Sequence, residues 1–359
     1  MRKGLGFVGN TEFIKNIRET GLESCEKAGS FLQSAAWGKF KSRFGWKSRA
    51  FLVDWTGFDA EQARLLAILT LFRHISPGFS FVYVPWGPES AHFKDGQKSP
   101  ALTELAQKLR PFFPGNTVFI RFDPPWFVEE KNEAPDLFLP LKRAGADIQP
   151  PSTVLVDLSL PENEILANMK PKWRYNIGLA EKRGVNVSCT GADGLEVFYG
   201  LLKETAARDG IAIHSIDYYK TLFEIYGAEN DARLSLYTAA FKGEAIAAIV
   251  VLCRGEQATY LYGASSNQNR NLMAAYALQW KAMQDAKAQG CLLYDLFGIP
   301  PNDDPGHPMA GLYRFKTGFG GRIVHRPGSW DYPYRPFFYS LFCAVELARK
   351  KIRDLKKKR

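Results

Sequence analysis

The amino-acid sequence predicts an α/β (α+β) protein of two tandem domains, each with a mixed sheet flanked by helices. Three observations support this. The chain of 359 residues is longer than a usual single-core domain, and strand and helix patterns alternate in both halves. A loop-like stretch over 129–152, which ends in two prolines, separates the halves. We expect residues 1–152 and 322–359 to form the first domain and residues 153–321 the second.

The first half alternates strands with helices. Runs rich in apolar residues predict strands over 48–55, 79–85 and 117–123. A helix is expected over 99–110, because Pro100 suits a first helical turn. An amphipathic helix is predicted over 59–74, where the leucines and Phe72 would share one face.

The second half is a longer version of the same pattern. A strand is predicted over 153–158, followed by a long helix over 161–183 that Gly184 ends. The later elements are two helices, a three-stranded meander, a helix and a strand, over 194–208, 216–226, 233–241, 245–253, 258–264, 271–289 and 291–297. This order is typical of an acyltransferase-like unit, and the first half is a shorter copy of it.

Composition and cysteine usage indicate a protein of the reducing cytoplasm. No apolar run approaches the length of a membrane span, and residues 1–10 lack the apolar stretch of a secretory signal. The five cysteines are scattered without a CxxC pair, and the five histidines form no HExxH motif. We therefore expect neither a disulfide framework nor a metal site.

The C-terminal end carries most of the net charge. The formal charge is +10, and residues 349–359 hold eight Lys or Arg against one Asp. The aromatic-rich segment before them, 335–348, can form a helix. A basic helical end beside aromatic residues can bind an anionic membrane or an RNA backbone. A docked terminal helix with a solvated basic end fits the pattern equally well.

The segment from Gln268 to Met273 lies between the third meander strand and the following helix. In acetyl-CoA-dependent transferases this position holds a glycine-rich loop whose backbone N–H groups bind pyrophosphate. Here Asn271 and Met273 replace the glycines, and their side chains would crowd that close approach. We therefore expect the chain to bind no CoA and to need no cofactor.

The segment from Gly311 to Gly321 contains the most informative candidate for a catalytic residue. Its pattern predicts a short helix with Phe315 and Lys316 that runs into a glycine turn. A lysine there can place a compact cation on an oxyanion or a phosphate. Taken alone, a surface lysine beside a turn would explain the pattern better.

Seven segments follow one another in a characteristic order. They are FLQS at 31–34 with WGKFK at 37–41, YVPWGP at 83–88, MKPKWRYNI at 169–177, TAARD at 205–209, YLYGASS at 260–266, YDLFG at 294–298 and FKTGFGG at 315–321. Together they resemble the FemABX family of peptidyltransferases over most of the chain. The resemblance implies two GNAT-like domains that enclose a substrate cleft. It also implies transfer of an amino acid from aminoacyl-tRNA to a stem-peptide amine of a peptidoglycan precursor.

The resemblance implies roles for individual residues. Lys316 corresponds to the lysine placed at the reacting carbonyl, with Phe315 beside it. Lys41 corresponds to a lysine that contacts the diphosphate of the precursor, which can be UDP-MurNAc-pentapeptide or lipid II. Tyr218 and Tyr262 correspond to residues of the substrate cleft.

The chain also departs from the family pattern. His214 stands where the family often has arginine, so a fixed cation becomes a group that is mostly neutral at pH 7. Trp86 replaces another common arginine, which predicts a weaker grip on diphosphate or a different precursor. Glu89 is one candidate for the group that removes the amine proton, and tRNA hydroxyls and the substrate itself are the alternatives. For Glu89 taken alone, a solvated position in a loop fits better. No long helical insert fits between 191 and 233, which indicates a compact member of the family.

The sequence thus predicts a monomeric aminoacyltransferase of cell-wall biogenesis. Its expected partners are aminoacyl-tRNA, the precursor and an anionic membrane at the basic tail. An acyltransferase of the same fold with another donor, acting on exopolysaccharide or lipid, is the alternative. A non-enzymatic binding protein is a third hypothesis, against which Lys41, Phe315 and Lys316 argue.

Overall fold

The computed structural model describes residues 12–56, 64–89, 95–128 and 138–357. The chain divides into two compact units: unit 1 is Met1–Gln149 with Arg326–Arg359, and unit 2 is Pro150–His325. The expected domain limits, after 152 and after 321, lie within a few residues of these. Residues 322–325 differ from the expectation, because they form a strand in the sheet of unit 2.

Unit 1 is built on a mixed sheet of seven strands. The strands are β1 (Ile14–Thr20), β2 (Lys47–Trp55), β3 (Arg64–Ser76), β4 (Phe79–Val84), β5 (Thr117–Phe122), β6 (Lys142–Arg143) and β14 (Trp330–Pro333). Their order is β1-β2-β3-β4-β5-β14-β6, in which β4 and β5 are parallel and the other neighbours antiparallel.

Helices cover the sheet of unit 1 and close its core. They are α1 (Ala35–Ser42), α2 (Asp95–Leu109) and α9 (Pro336–Lys357). Leu105 of α2 is fully buried in the same apolar cluster as Phe51 of β2. The first half of α9 packs on the sheet, where the ring of Phe342 lies 5.0 Å from that of Phe119.

Unit 2 is built on a second sheet of seven strands. The strands are β7 (Ser152–Asp157), β8 (Asn186–Cys189), β9 (Ala232–Phe241), β10 (Glu244–Arg254), β11 (Gln257–Ser265), β12 (Leu293–Asp295) and β13 (Arg322–His325). The helices are α3 (Glu162–Asn168), α4 (Pro171–Lys182), α5 (Leu195–Asp209), α6 (Ile216–Gly227), α7 (Ala274–Ala288) and α8 (Ala310–Thr317). Between 191 and 233 the chain forms a 3-10 turn, α5 and α6, without a longer helical insert.

The two sheets have the same succession of strand directions. The order in unit 2 is β8-β9-β10-β11-β12-β7-β13, with β11 and β12 as the parallel pair. In each unit one helix, α2 or α7, makes the crossover that parallel strands require. The parallel pair of unit 2 is short, and its pairing ends at Thr259 and Asp295. Beyond these residues β11 and β12 are no longer paired, which leaves a gap between them.

The structure shows that the prediction for 59–74 was wrong. Residues Arg64–Ser76 form strand β3, hydrogen-bonded to β2 and β4, and residues 57–63 lie outside the described part of the chain. A run of apolar residues fits a buried strand as well as a helix. The strands on both sides of β3 decide the outcome, because they satisfy its backbone groups.

The long helix predicted over 161–183 is two helices. Helix α3 ends at Asn168 and α4 begins at Pro171, and Lys170 between them has a ψ of 142°. A residue before proline is disfavoured in the helical conformation, which explains the break. Sequence patterns also missed β1 and α1.

Several general features bear on function. Among the described residues, no helix has the length and hydropathy needed to cross a bilayer. In the same part of the chain, no three His, Cys, Asp or Glu side chains group together as metal ligands would. All five cysteines are free thiols.

Candidate functional site

Lys316 lies in unit 2, on α8, beside the point where β11 and β12 stop pairing. Its Nζ donates to the carbonyl oxygens of Gly298 at 2.9 Å and Phe297 at 3.3 Å, just beyond the end of β12. The same atom lies 5.2 Å from the ring centroid of Tyr260 on β11. Lys316 is only 5% exposed. It therefore occupies the gap between the two parallel strands rather than a surface turn.

The surroundings of Lys316 change its ionisation. Burial lowers the pKa of its ammonium to about 7, and the nearby Asp295 carboxylate opposes that effect. Asp295 is fully buried, and it accepts hydrogen bonds from the backbone N–H of Phe297 at 2.8 Å and from Thr153 Oγ1. An ammonium carries three N–H groups, and two of those on Lys316 reach carbonyl oxygens. The third N–H is not used by these two hydrogen bonds.

Phe315 and the glycines of the same segment have packing roles. The Phe315 ring meets the rings of Tyr276 and Phe319 edge to face, each at 5.2 Å between centroids. A Cβ added at Gly318 would lie 2.1 Å from the Trp173 ring, which is closer than any real contact. Gly320 has a φ of +81°. The glycines therefore let α8 and the chain after it approach α4 closely.

The loop that would hold pyrophosphate in a CoA-dependent enzyme keeps its position before α7. Asn269 and Met273 have φ angles of 58° and 60°, in the left-handed region that favours glycine. Arg183 Nη1 donates to the carbonyl oxygen of Asn271 at 2.6 Å. Side chains thus stand at the positions where a pyrophosphate loop needs bare backbone.

Three residues predicted for the substrate cleft form a second cluster in unit 2. The His214 ring stacks on the Tyr218 ring at 3.8 Å between centroids, with 10° between the planes. Tyr218 and Tyr262 are hydrogen-bonded through their side chains, and burial raises the pKa of both phenols. Tyr219 contacts Tyr262 edge to face at 5.2 Å. The cluster presents the exposed His214 ring beside Tyr218 and Tyr219, which are buried, and Tyr262, which is half-buried.

Tyr219 and Tyr260 were missed by sequence reasoning. Tyr219 follows Tyr218 in an aromatic doublet, and Tyr260 stands two residues before Tyr262 on β11. The β10–β11 register shifts between Val250 and Val251, so the usual alternation of side chains is interrupted there. Tyr260 contacts Lys316 while Tyr262 contacts the tyrosines of α6. The motif YLYG could have indicated Tyr260, and the doublet with Tyr218 could have indicated Tyr219.

Lys41 lies in unit 1 at the end of α1, within a cluster of aromatic rings. Its Nζ is 5.4 Å from the centroid of Trp37 and 5.8 Å from that of Trp46. The guanidinium of Arg73 lies 5.4 Å from the centroid of the same Trp46 ring. Burial, and then the charge of Arg73, lower the pKa of Lys41 to about 8. Two cations therefore lie near the indole ring of Trp46, and a bound anion would offset the repulsion between them.

Trp86 is also part of unit 1. It is buried, has a φ of 40°, and carries the guanidinium of Arg326 at 4.2 Å from its ring centroid. The sequence motif has tryptophan where the family often has arginine, and the structure places an arginine from a distant segment on that tryptophan. Sequence reasoning missed Arg326 because nothing local connects it to Trp86.

Glu89 has a structural role in the same unit. Its carboxylate accepts hydrogen bonds from the backbone N–H groups of Gly29, at 2.8 Å, and Ser30. Ser30 in turn caps the 3-10 turn Phe31–Gln33 that leads into α1. The side chain therefore fixes the chain before Lys41 rather than standing in a solvated loop.

These two GNAT-like units in tandem define a class of acyl-transferring proteins. A solved structure of FemX aligns with a TM-score of 0.76 at 19% identity, over 91% of this chain and 100% of that one. A tandem GNAT protein from the clavulanic acid biosynthesis pathway aligns with a TM-score of 0.50 at 11% identity, over 89% and 98% of the two chains. Both likenesses establish the fold that the sequence predicted.

The particular family follows from comparison of sequences. The model of the FemAB family matches residues 140–244 and 236–347, which together exceed half of the chain. This chain belongs to the FemAB family. Lipid II:glycine glycyltransferases of Staphylococcus epidermidis (strain RP62A) and Staphylococcus aureus (strain USA300) are each 23% identical to it. The alignments cover 96% of this chain and 98% and 99% of those proteins. The predicted family is confirmed, and the protein is an aminoacyltransferase.

Proposed function

We propose that this chain transfers an amino acid from aminoacyl-tRNA to the stem-peptide amine of a peptidoglycan precursor and so builds an interpeptide bridge. The observation that carries the proposal is Lys316, an ammonium 5% exposed and held by two carbonyl oxygens in the gap of the unit 2 sheet. Relatives named lipid II:glycine glycyltransferases support the acceptor.

The reaction needs orientation and charge stabilisation more than a strong nucleophile. The amine nitrogen of the acceptor forms a bond to the ester carbon, and the bond from that carbon to the tRNA ribose oxygen breaks. The amine loses a proton and the ribose hydroxyl gains one. The third N–H of Lys316 would stabilise the oxyanion that forms between these steps, an effect typically worth about 3–4 kcal/mol. Phe315 fixes the helix that carries Lys316.

The remaining predicted residues suit binding of the acceptor. The cations of Lys41 and Arg73 around Trp46 match the diphosphate that UDP-MurNAc-pentapeptide and lipid II share. We assign this site in unit 1 to that diphosphate. Trp86 with Arg326 adds a buried cation–aromatic pair in the same unit. His214, Tyr218 and Tyr262 present aromatic and hydroxyl groups in unit 2 and are assigned to the peptide or sugar part of the substrates.

Helix α9 suits contact with the inner face of an anionic membrane. Phe337, Leu341 and Ile352 lie on one side of it and are 76%, 55% and 55% exposed. The sequence from 349 onward adds eight Lys or Arg. An apolar stripe next to basic residues is the pattern of a helix that lies in the membrane interface. Such a contact would bring the enzyme to a lipid-linked acceptor, with the protein itself a monomer on the cytoplasmic side.

A reconstituted assay tests the proposed function. Purified protein is mixed with aminoacyl-tRNA and one acceptor, either UDP-MurNAc-pentapeptide or lipid II. The mass of the stem peptide is then measured by mass spectrometry. We expect a mass increase of one amino-acid residue that disappears when the tRNA is deacylated. Transfer from another activated donor, with none from aminoacyl-tRNA, would replace this proposal with the alternative acyltransferase.

A further inference from the structure

We propose that the exposed face of α4 binds the phosphate backbone near the 3′ end of the donor tRNA and guides that end to Lys316. The inference rests on the proposed function, because it takes tRNA as the donor. It adds the surface of the protein on which the tRNA would bind. The segment MKPKWRYNI, in which α4 begins, has so far no role in the chemistry.

The charge of α4 fits a polyanion. The helix and the residues on either side of it, 170–183, contain five cations against one acid, Glu181. The cations are all exposed: Lys170, Lys172, Arg174, Lys182 and Arg183. Among the described residues, no ion pair neutralises any of them. Exposed cations gathered on one helix and its two ends are an arrangement that suits a phosphate backbone.

Two further residues on the exposed face suit a nucleic acid. Tyr175 is 66% exposed and can stack with an unpaired base. Gly178 lies inside the helix, where glycine costs about 0.5–1 kcal/mol relative to alanine. A Cβ added at Gly178 would meet no atom within 4 Å, so packing does not require glycine there. Its bare backbone leaves room for a close approach from outside.

The other side of α4 is fixed to the segment that carries Lys316. Trp173 Nε1 donates to the carbonyl oxygen of Phe315 at 2.9 Å, and the backbone N–H of Lys170 donates to that of Gly318 at 2.9 Å. Arg174 Nη1 donates to the carbonyl oxygen of Ala167 at 3.1 Å, which stiffens the joint with α3. A backbone bound on α4 is therefore held at a fixed place relative to Lys316.

The composition of the face distinguishes RNA from a membrane as its partner. Tyr175 is the one large hydrophobic residue of α4 that is strongly exposed, and it has a flat, stacking ring. Helix α9, in contrast, exposes several large apolar side chains beside its basic residues, as a lipid surface requires. We therefore assign α4 to RNA and α9 to the membrane.

The test removes two charges that have no structural contact in the described residues. Lys172→Ala/Lys182→Ala is compared with Lys203→Ala/Lys220→Ala, which removes the same formal charge from α5 and α6 of the same unit. The control also removes the exposed ion pair of Lys220 with Glu196 and the contact of Lys203 with the Tyr199 ring. Three measurements are made on each: the Kd for deacylated tRNA over a range of salt concentrations, binding to anionic vesicles, and kcat and KM for aminoacyl-tRNA and for the acceptor.

We expect the α4 variant to raise the tRNA Kd and KM about tenfold or more, with kcat and the acceptor KM within about twofold of wild type. The slope of log Kd against log salt should fall by about 1.4–1.8, since each lost phosphate contact removes about 0.7–0.9. The control variant should behave as wild type. Gly178→Gln, which changes no charge, should also raise the tRNA KM severalfold while leaving the melting temperature equal or higher.

Three results would overturn the inference. Wild-type tRNA affinity in the α4 variant would remove the face from RNA binding, while tRNA-dependent transfer by the wild type would leave the proposed function intact. An equal loss in the control variant would reduce the effect to net charge. Loss of binding to anionic vesicles with unchanged tRNA binding would assign the face to lipid. If the wild type transfers nothing from tRNA, the proposed function fails, and the Kd comparison still decides the face because it needs no reaction.

Discussion

The two sheets differ in the side chains that occupy the place where the two parallel strands stop pairing. Each unit has a buried aspartate there: Asp123 directly after β5 in unit 1 and Asp295 at the end of β12 in unit 2. Each aspartate accepts a hydrogen bond from a hydroxyl next to or on the neighbouring strand, Ser329 before β14 and Thr153 on β7. The frame is therefore the same in both units.

The groups that face the aspartate differ between the two units. In unit 1, the hydroxyl of Tyr83 donates to Asp123, which also accepts from the backbone N–H of Gln149 at 3.2 Å. In unit 2, the gap admits the ammonium of Lys316, whose charge Asp295 favours. One copy of the fold is closed by neutral donors, and the other keeps a titratable cation. Under the proposed function, the chemistry belongs to the unit whose gap holds a cation.

The largest effect is expected for the cation itself. Lys316→Met should lower kcat by about 10²–10³, because it removes an oxyanion-directed donor, while the Tm stays equal or rises since a buried ammonium is lost. Tyr83→Phe, at the matching place in unit 1, should leave kcat within about twofold. Steady-state kinetics and thermal unfolding measure both. A folded Lys316→Met enzyme with normal kcat would remove Lys316 from the mechanism and end the distinction between the units.

The two aspartates should differ in their influence on the pH profile. The pKa of Lys316 is lowered to about 7, so kcat should fall as pH rises above 7 and the ammonium is lost. Asp295→Asn should move this fall about one unit lower and reduce the rate at pH 7 about fivefold, because a favourable charge is removed. The profile of kcat between pH 6 and 8.5 measures the shift.

Asp123→Asn provides the matched control in unit 1. Burial raises the pKa of Asp123 to about 6, so the stability it contributes is present below its unfolded pKa and is lost as pH rises through 6. The variant should therefore be at least as stable as wild type at pH 8, with an unchanged kcat profile. A shift of the kcat profile equal to that of Asp295→Asn would mean that both gaps take part in the chemistry.

A smaller effect is expected for the diphosphate site in unit 1. Lys41→Gln should raise the KM for the precursor about tenfold, since one charge-assisted hydrogen bond is worth about 1.5 kcal/mol. The kcat should change less than twofold. Lys39→Gln, an exposed lysine on the same helix, is the matched substitution and should have no effect. A drop in kcat with unchanged KM would place Lys41 in the chemical step instead.

The smallest effect on catalysis is expected at the end of α9. Removal of residues 349–359 should weaken binding to anionic vesicles and leave kcat with the soluble precursor unchanged. The effect should shrink with salt, because charges are screened over about 8 Å at physiological ionic strength. Leu341→Ser, in the apolar stripe, should weaken vesicle binding in a way that salt does not change. If both variants bind vesicles as the full chain does, α9 is a solvated helix end.

The sequence indicated the meander, the crossover helix and the glycine-rich segment of unit 2, because each has a clear period or punctuation. It did not indicate strand β3, since Leu65 to Phe72 is apolar without alternation and its neighbours in the sheet come from other segments. The same reason hides Arg326 and Arg73, which reach Trp86 and Trp46 only through the fold. The burial that lowers the pKa of Lys316 is likewise a property of packing.

The position of β14 has a consequence for synthesis on the ribosome. Unit 2 is one uninterrupted stretch, Pro150–His325, and all its strands have been made before unit 1 is complete. Unit 1 must wait for Trp330–Pro333 to enter between β5 and β6. Until then β5 presents an open strand edge, which is prone to pairing with other chains. The unit that begins first is therefore the last to finish, and a nascent chain stopped before 330 would carry a complete unit 2 beside an unfinished unit 1 that chaperones would have to shield.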